Sequence, residues 1–280
     1  MKDIRLGLYE KAMPGFLSWE QKLKCAKAAG YDFVEMSVDE TDEKLSRLDM
    51  SATERLEVLT LMSRAGMRFE SMCLSGHRKY PLGSEDTATR DTSARIMEKA
   101  IILARDLGIR IIQIAGYDVY YKPSNDRTRA FFAKNLVRAV DSAAKYGVML
   151  AFETMETDFL NTVEKAMYWV KRISSPYLAV YPDSGNITNA ALAAGHGING
   201  VLADIESGRG HTAAFHMKES RPGIYREVPY GDGYVDFKSV ADKAIEIGVK
   251  RFVTEFWYTG QPEWEWGLAR AKEFFCAVFS

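Results

Sequence analysis

The sequence is poor in cysteine. Its 280 residues include three, Cys25, Cys73 and Cys276, which are far apart and form no CxxC pair. An odd number of widely spaced cysteines argues against a disulfide framework and against a cysteine-rich structural zinc site. Reduced thiols in a cytoplasmic protein are therefore expected.

Long apolar runs and an excess of one charge are also missing. No apolar run approaches the roughly 18 residues that a membrane-spanning helix needs. The first residues, MKDIRLGLYEK, contain no apolar core of a secretory signal. The formal net charge is −1, so no overall field attracts nucleic acid or an acidic membrane surface. Without a proline- or serine-rich linker, we expect one domain spanning residues 1–280.

Short β-like runs alternate with longer helical patterns along the whole chain. With 47% hydrophobic residues, the composition is sufficient for a large core. The runs are nearly continuous in apolar residues, as expected for strands covered on both faces. The predicted strands are Ile4–Tyr9, Phe33–Ser37, Arg68–Cys73, Ile111–Ala115, Met149–Glu153, Leu178–Tyr181, Thr212–His216 and Phe252–Glu255.

Helical segments fill the gaps between these strands, and most of them end at a glycine. The predicted helices are Trp19–Ala29, Ser51–Ala65, Thr89–Leu107, Asp126–Tyr146, Asp236–Ile247 and Glu263–Val278. A helix, a glycine, a short turn and a buried strand recur along the whole chain and, with eight strands in about 280 residues, indicate a single (β/α)8 barrel. An open doubly wound sheet is the alternative, but no G-x-G-x-x-G follows the first strand.

Four of the predicted strands end on, or just before, a side chain that can bind a metal. These residues are Glu153, Asp183, His216 and Glu255 on strands five to eight. Any one of them alone could be a helix cap or an ion-pair partner. Because the carboxyl ends of barrel strands meet at one rim, the four are expected to surround a single cation. Two glutamates, one aspartate and one histidine suit Mn²⁺, Zn²⁺, Co²⁺ or Mg²⁺.

A cation at this rim predicts chemistry on a ketose. It would polarise the carbonyl group and stabilise the enediolate that forms when a neighbouring C–H loses its proton. Glu153 and Glu255 are then the candidate general base and general acid. If they face opposite sides of the carbon, removal of the proton by one and its return by the other inverts that carbon.

Long motifs in the sequence resemble those of a known family. The motifs are GLYEKA at 7–12, FVEMSVDETDE at 33–43, SMCLSGHR at 71–78, QIAGYDVYY at 113–121, YPDSGN at 181–186 and VPYGDGYVDF at 228–237. They resemble the L-ribulose-5-phosphate (L-xylulose-5-phosphate) 3-epimerase family of L-ascorbate and L-xylulose catabolism, among the xylose isomerase-like TIM barrels. Members have also carried the name hexulose-6-phosphate isomerase.

The resemblance has consequences for fold, site and partners. It implies a metal held by Glu153, Asp183, His216 and Glu255, with the two glutamates as the acid/base pair, and a homodimer. This chain departs from the family pattern at Gly76 and in the segment after Glu153. Those differences affect substrate detail more than reaction type. The expected partner is a ketose phosphate.

Several further residues are candidates for substrate contact. His77 and Arg78 follow the third strand and could meet the hydroxyls or the phosphate. Lys218, Arg221 and Arg226 follow the seventh strand, where many barrels bind phosphate, and at least one of them is expected to contact it; surface ion pairs are the alternative. Glu35 ends the second strand and could hold a hydroxyl or orient another side chain.

Four other functions compete with 3-epimerisation of a ketose phosphate. Aldose–ketose isomerisation would use the same cation but move the proton between C1 and C2, and an epimerase acting on a free ketose would need no phosphate site. A DNA-repair endonuclease of related fold needs a histidine-rich cluster of three metals, whereas this chain has four histidines in all. A sugar-phosphate sensor without activity would not require both glutamates.

Overall fold

Eight parallel strands form the centre of the molecule. The structure is a computed structural model and describes residues 3–280. The strands are β1 (Arg5–Tyr9), β2 (Phe33–Val38), β3 (Phe69–Leu74), β4 (Ile111–Ala115), β5 (Met149–Glu153), β6 (Leu178–Tyr181), β7 (Phe215–Met217) and β8 (Arg251–Thr254). All eight predicted strands are thus present, with bounds that agree within a few residues at most ends.

The sheet curls into a nearly closed barrel. Its order is β6-β5-β4-β3-β2-β1-β8-β7, and every pair of neighbours is parallel. The two outer strands, β6 and β7, meet through single bridges that join Val180 to Thr212 and Asp183 to His216. The (β/α)8 barrel predicted from the sequence is confirmed.

Helices surround the strands and connect them. They are α1 (Trp19–Ala28), α2 (Asp42–Ser46), α3 (Ala52–Ala65), α4 (Thr87–Leu107), α5 (Asp126–Lys145), α6 (Val163–Ile173), α7 (Ser184–Ala193), α8 (Gly197–Ser207), α9 (Phe237–Glu246) and α10 (Trp264–Val278). Among the helices of residues 3–280, none is long and apolar enough to cross a membrane.

Local sequence signals explain where α3 begins and ends. The Ser51 hydroxyl accepts a hydrogen bond from the Glu54 N–H, and the Glu54 carboxylate accepts one from the Ser51 N–H. This reciprocal pair is the capping box read from the sequence. Gly66 ends the helix with φ 59°, a left-handed conformation that suits glycine.

The region from β5 to β7 departs most from the sequence-based expectation. Helices α6, α7 and α8 lie outside the segments predicted as helical, and strand β7 begins at Phe215 instead of Thr212. Glycine and asparagine in α7 and α8 weaken the helical signal. Thr212 contributes only a single bridge to Val180, so it does not extend the strand.

The core has two layers. The larger apolar layer lies between the sheet and the helices, and a smaller group fills the barrel interior, including Tyr9, Phe33 and Tyr181. Gly7 in β1 makes room inside the barrel, since a Cβ there would lie 2.3 Å from the Phe33 ring. Because side chains fill the barrel interior, a ligand site is expected at the carboxyl ends of the strands.

Candidate metal and active site

The four predicted ligand residues converge at the carboxyl rim of the barrel. Glu153 ends β5, Asp183 follows β6, His216 lies in β7 and Glu255 directly follows β8. One potential ligand atom from each lies within 4.8 Å of those from the others, and all four side chains are buried. We call Glu153, Asp183, His216 and Glu255 the ligand quartet.

Asp183 is oriented by its second role as the cap of α7. Its Oδ1 accepts a hydrogen bond of 2.7 Å from the Asn186 N–H, and its own N–H donates to the Thr154 hydroxyl at 2.9 Å. Capping therefore occupies one carboxylate oxygen. The other, Oδ2, is left to face the quartet.

His216 is held with one ring nitrogen toward the quartet. Its Nδ1 lies 3.0 Å from Oε1 of Glu153 and 3.3 Å from Oε2 of Glu255. Its Nε2 lies 2.5 Å from Oε1 of Glu35 on the opposite side of the ring. Nε2 therefore carries the ring proton and donates a hydrogen bond to Glu35. This leaves Nδ1 as the nitrogen available to a cation.

Glu35 thus orients another side chain, one of the two roles considered for it. Its second oxygen accepts hydrogen bonds from the hydroxyls of Ser71 at 2.6 Å and Tyr181 at 2.8 Å. All three residues are buried inside the barrel. Their packing and hydrogen bonds fix the carboxylate in place, and so fix the His216 ring.

Gln113 supports Glu153 and was not among the predicted site residues. Its side-chain amide donates to Oε2 of Glu153, and it is fully buried in β4. The signal in the sequence is a single polar residue within the apolar strand Ile111–Ala115. A buried amide of this kind needs a polar partner.

Negative charge is crowded in the quartet. Burial raises the pKa of Glu153 and, more strongly, that of Asp183, and repulsion from Glu255 adds to both shifts. For Glu255 the cations Lys218 and His216 outweigh burial and hold its pKa below the ordinary value. Burial lowers the pKa of His216, but Glu35 and Glu255 outweigh it and raise the value well above the ordinary one.

The quartet also contains carboxylate oxygens that accept no hydrogen bond. Within residues 3–280, Oδ2 of Asp183 and Oε2 of Glu255 are buried and accept no hydrogen bond. The Lys218 ammonium lies 3.1 Å and 3.8 Å from them, but one ammonium cannot neutralise three buried carboxylates, so a further cation would be favourable here. Three carboxylates and one imidazole nitrogen, two of the oxygens unpaired, form a group that can hold a divalent metal ion.

Lys218 lies beside the quartet and not at the mouth of the barrel. Its Nζ is 3.1 Å from Oδ2 of Asp183, 3.8 Å from Oε2 of Glu255 and 2.9 Å from Oδ1 of Asn186. Burial lowers the pKa of Lys218, but Asp183 and Glu255 outweigh it and raise the pKa above its ordinary value.

Two of the other predicted contact residues line the space above the quartet. The Arg78 guanidinium lies 4.7 Å from the centre of the Tyr120 ring, and that of Arg226 lies 5.9 Å from the Trp257 ring. Within the described chain, neither side chain has a carboxylate at ion-pair distance, and the buried Nε of Arg78 lacks a hydrogen-bond partner.

His77 and Arg221 are not brought to this space. The His77 ring is buried against α4, with Nε2 3.2 Å from the Ser93 carbonyl oxygen, and burial lowers its pKa to about 4. The Arg221 side chain is exposed and donates to the Asp232 carbonyl at 2.8 Å. Both follow strand ends, but the packing of their loops turns them away.

The space above the quartet is narrow, and a larger cavity adjoins it. The narrow space has a volume of about 50 Å³, and the neighbouring cavity, on the α10 side, about 430 Å³. The residues that line both are Lys218, Glu255 and Trp257.

Comparison with known proteins agrees with this geometry. The family model described as xylose isomerase-like TIM barrel matches residues 23–275. The chain belongs to the xylose isomerase-like TIM barrel family. It is 44% identical over 257 residues to an L-ribulose-5-phosphate 3-epimerase, UlaE, of Salmonella heidelberg, which covers 91% of this chain and 88% of that protein. The corresponding UlaE of Salmonella paratyphi C is 46% identical over 238 residues, covering 85% and 81%.

These similarities identify the protein as an enzyme of the epimerase type among the isomerases, as the sequence predicted. Solved structures with the same fold are more distant in sequence. A D-psicose 3-epimerase of Clostridium cellulolyticum H10, with D-tagatose, has a TM-score of 0.80 at 15% identity, covering 98% and 99% of the two chains. An L-ribulose 3-epimerase has a TM-score of 0.75 at 17% identity, covering 98% and 94%.

Proposed function

We propose that this enzyme is a metal-dependent 3-epimerase that interconverts L-ribulose 5-phosphate and L-xylulose 5-phosphate. The observation that carries the proposal is the convergence of two buried glutamates, Glu153 and Glu255, on one prospective metal site. The names of the similar Salmonella proteins support the choice of substrate.

The metal centre we propose consists of Glu153, Asp183, His216 and Glu255. A bound divalent cation would polarise the ketose carbonyl and stabilise the negative charge that develops on its oxygen. The mixed carboxylate and imidazole ligands suit Mn²⁺, Zn²⁺, Co²⁺ or Mg²⁺. The oxygens of Asp183 and Glu255 that accept no hydrogen bond support the assignment, since they could bind the cation directly.

Proton transfer is assigned to Glu153 and Glu255. Glu153 ends β5 and Glu255 follows β8. In the sheet order β5 lies four positions from β1 on one side and β8 one position from it on the other, so the two side chains approach the rim from different directions. One carboxylate takes the proton from C3, and the other carboxyl returns a proton to the opposite face of the same carbon. Gln113 and His216 hold the Glu153 carboxylate while it acts.

The phosphate is assigned to the cationic side of the mouth. Arg78 and Arg226 lack carboxylate partners within the described chain, and both guanidinium groups lie on aromatic rings that restrict them. Such groups suit a phosphate monoester. Lys218 is buried beside Asp183 and would contact substrate oxygens near the metal instead. We retain His77 and Arg221 as weaker candidates, because contact would require their loops to rearrange.

The remaining parts of the proposal concern the whole chain. We propose that residues 1–280 act as one barrel domain, that the enzyme is a cytoplasmic homodimer, and that it acts on neither nucleic acid nor membranes. The nearly neutral charge supports the last point, since a nucleic acid partner usually demands a basic surface.

Proton NMR in D₂O tests the reaction directly. Chelator-treated protein with Mn²⁺ restored is incubated with L-ribulose 5-phosphate, and the carbon that gains deuterium is identified. The proposal requires deuterium at C3 together with formation of L-xylulose 5-phosphate. Deuterium at C1 or C2 would establish aldose–ketose isomerisation instead. Faster turnover of free L-ribulose than of its phosphate would contradict the phosphate assignment.

A further inference from the structure

The position of Lys218 indicates a role beyond substrate contact. Its ammonium group is buried, and its two carboxylate neighbours are Asp183 and Glu255. Those contacts are with Oδ2 and Oε2, the same two quartet oxygens that accept no hydrogen bond in the described chain. The ammonium therefore borders the place where a cation would bind.

The backbone of Lys218 is anchored so that the side chain stays in this place. Its N–H donates to the Ser184 hydroxyl at 2.8 Å, and the same hydroxyl donates to its carbonyl oxygen at 2.8 Å. Ser184 begins α7, directly after the quartet residue Asp183. Asn186 in the same helix accepts from the ammonium, and its amide donates to the Thr154 carbonyl at 2.7 Å.

A count of formal charges shows what the ammonium does for the quartet. Three ionised carboxylates carry three negative charges, and a divalent cation neutralises two. Among residues 3–280, the Lys218 ammonium lies at ion-pair distance from Asp183 and Glu255 and can neutralise the third. With Nδ1 facing the cation, His216 is a neutral imidazole that donates its Nε2 proton to Glu35, so it adds no positive charge, and the negative charge of Glu35 lies on the far side of the ring.

We propose that Lys218 sets the charge of the quartet so that it matches a divalent cation. The inference rests on the proposed metal site. With the ammonium present, a divalent ion completes the neutralisation of the three quartet carboxylates. Without it, one quartet carboxylate is left uncompensated, and a trivalent ion gains more than a divalent one, because the ammonium repels a bound cation in proportion to its charge. Lys218 thus acts on cation selectivity without being a ligand.

Cation competition tests the proposal with a readout independent of turnover. Chelator-treated wild-type protein, Lys218→Met, Lys218→Gln and Lys218→Arg are titrated with Mn²⁺, followed by electron paramagnetic resonance of the free ion. Parallel titrations use Tb³⁺, followed by its luminescence. In both neutral variants the ratio of Tb³⁺ affinity to Mn²⁺ affinity should rise at least about tenfold. Lys218→Arg, which keeps the charge, should stay near the wild-type ratio.

Matched controls separate this role from others. Lys238→Met removes an exposed ammonium paired with Asp242 and should leave the ratio unchanged. Lys218→Gln keeps a hydrogen-bond donor for Asp183 and Asn186, so it serves if Lys218→Met does not fold, as judged by circular dichroism. A parallel loss of both affinities would mean that Lys218 only supports Asp183, and would overturn the proposal.

Two other outcomes are also decisive. Unchanged affinities with only a raised KM for the sugar phosphate would make Lys218 a substrate contact and overturn the inference. Failure of the wild-type protein to bind Mn²⁺ at all would instead overturn the proposed metal site on which the inference rests.

Discussion

Two buried groups of charged side chains lie near the carboxyl ends of the strands, and they have opposite compositions. In the first, Glu10 directly follows β1 and contacts Lys22 at 2.6 Å, Lys44 at 3.1 Å and Arg47 at 2.6 Å. The ligand quartet instead contains three carboxylates close together, and the cationic groups beside them are His216 and Lys218. We call the first the Glu10 cluster.

The two groups differ in how their carboxylates are satisfied. Burial would raise the pKa of Glu10, but Arg47 and the two lysines outweigh it and lower the value to about 2. Both of its oxygens accept hydrogen bonds, one of them from the Ser37 N–H at 2.9 Å. In the quartet, by contrast, the pKa of Asp183 is raised, and two carboxylate oxygens accept no hydrogen bond. Burial of a carboxylate therefore does not mark a functional site, whereas an unsatisfied excess of negative charge does.

The largest expected difference between the groups is in activity. Glu153→Gln and Glu255→Gln should each lower kcat by at least about a thousandfold, because each removes one of the two proton-transfer groups. Glu10→Gln should keep kcat within about threefold in its folded fraction, because Glu10 touches no quartet residue. Epimerisation is followed by NMR, with folding checked by circular dichroism. Near-normal turnover in Glu153→Gln would refute the acid/base assignment.

For stability, the larger effect is expected from the Glu10 cluster and not from the ligand quartet. Glu10→Gln should lower the free energy of unfolding by about 3–5 kcal/mol, since it leaves three buried cations without their carboxylate. Burial already lowers the pKa of Lys22 despite the nearby Glu10, which shows that this ammonium has little other compensation for its charge. Urea denaturation at pH 7 measures the loss. Glu20→Gln, which breaks an exposed pair with Lys24, is the matched control and should cost less than about 0.5 kcal/mol.

The stabilising effect of Glu10 should depend on pH in a defined direction. Its pKa is about 2 in the folded protein, compared with 4.5 ordinarily. The ionised form therefore contributes about 3 kcal/mol above pH 4.5, and this contribution is lost as the pH falls toward 2. The stability gap between wild type and Glu10→Gln should narrow between about pH 5 and pH 3. A gap that stays constant over this range would contradict the assignment.

A smaller effect, on the affinity for a divalent cation, is expected when Glu35 is replaced, because Glu35 contacts the quartet residue His216. Glu35→Gln should weaken divalent-cation binding by about 10- to 100-fold, because the amide holds the His216 tautomer less firmly. Isothermal titration with Mn²⁺ measures this. Glu70→Gln, in the adjacent β3 but at the amino end of the barrel beside Arg5, is the control. Equal affinities for Glu35→Gln and wild type would show that the short contact with His216 does not position the ligand.

Much of the fold and of the ligand quartet could be predicted from the sequence, whereas some features of the site could not. The quartet was predictable because residues at the ends of successive parallel strands must share one rim. The partner of Glu35 was not, since His216 lies 181 positions later and the two meet only across the barrel interior. His77 and Arg221 turn away from the site because loop packing, which has no periodic signal, sets their direction. Helices α7 and α8 were not assigned because glycine and asparagine weaken their pattern.

The central claim is that the ligand quartet is a metal site on which turnover depends, and adding a cation back tests it most directly. Chelator-treated protein is titrated with Mn²⁺ while bound ion and the rate of C3 epimerisation are measured in the same samples. The account predicts negligible activity without the ion, and a rate that rises with bound Mn²⁺ to a plateau at one ion per chain. Full activity in the chelator-treated protein, with no bound metal detectable, would contradict it.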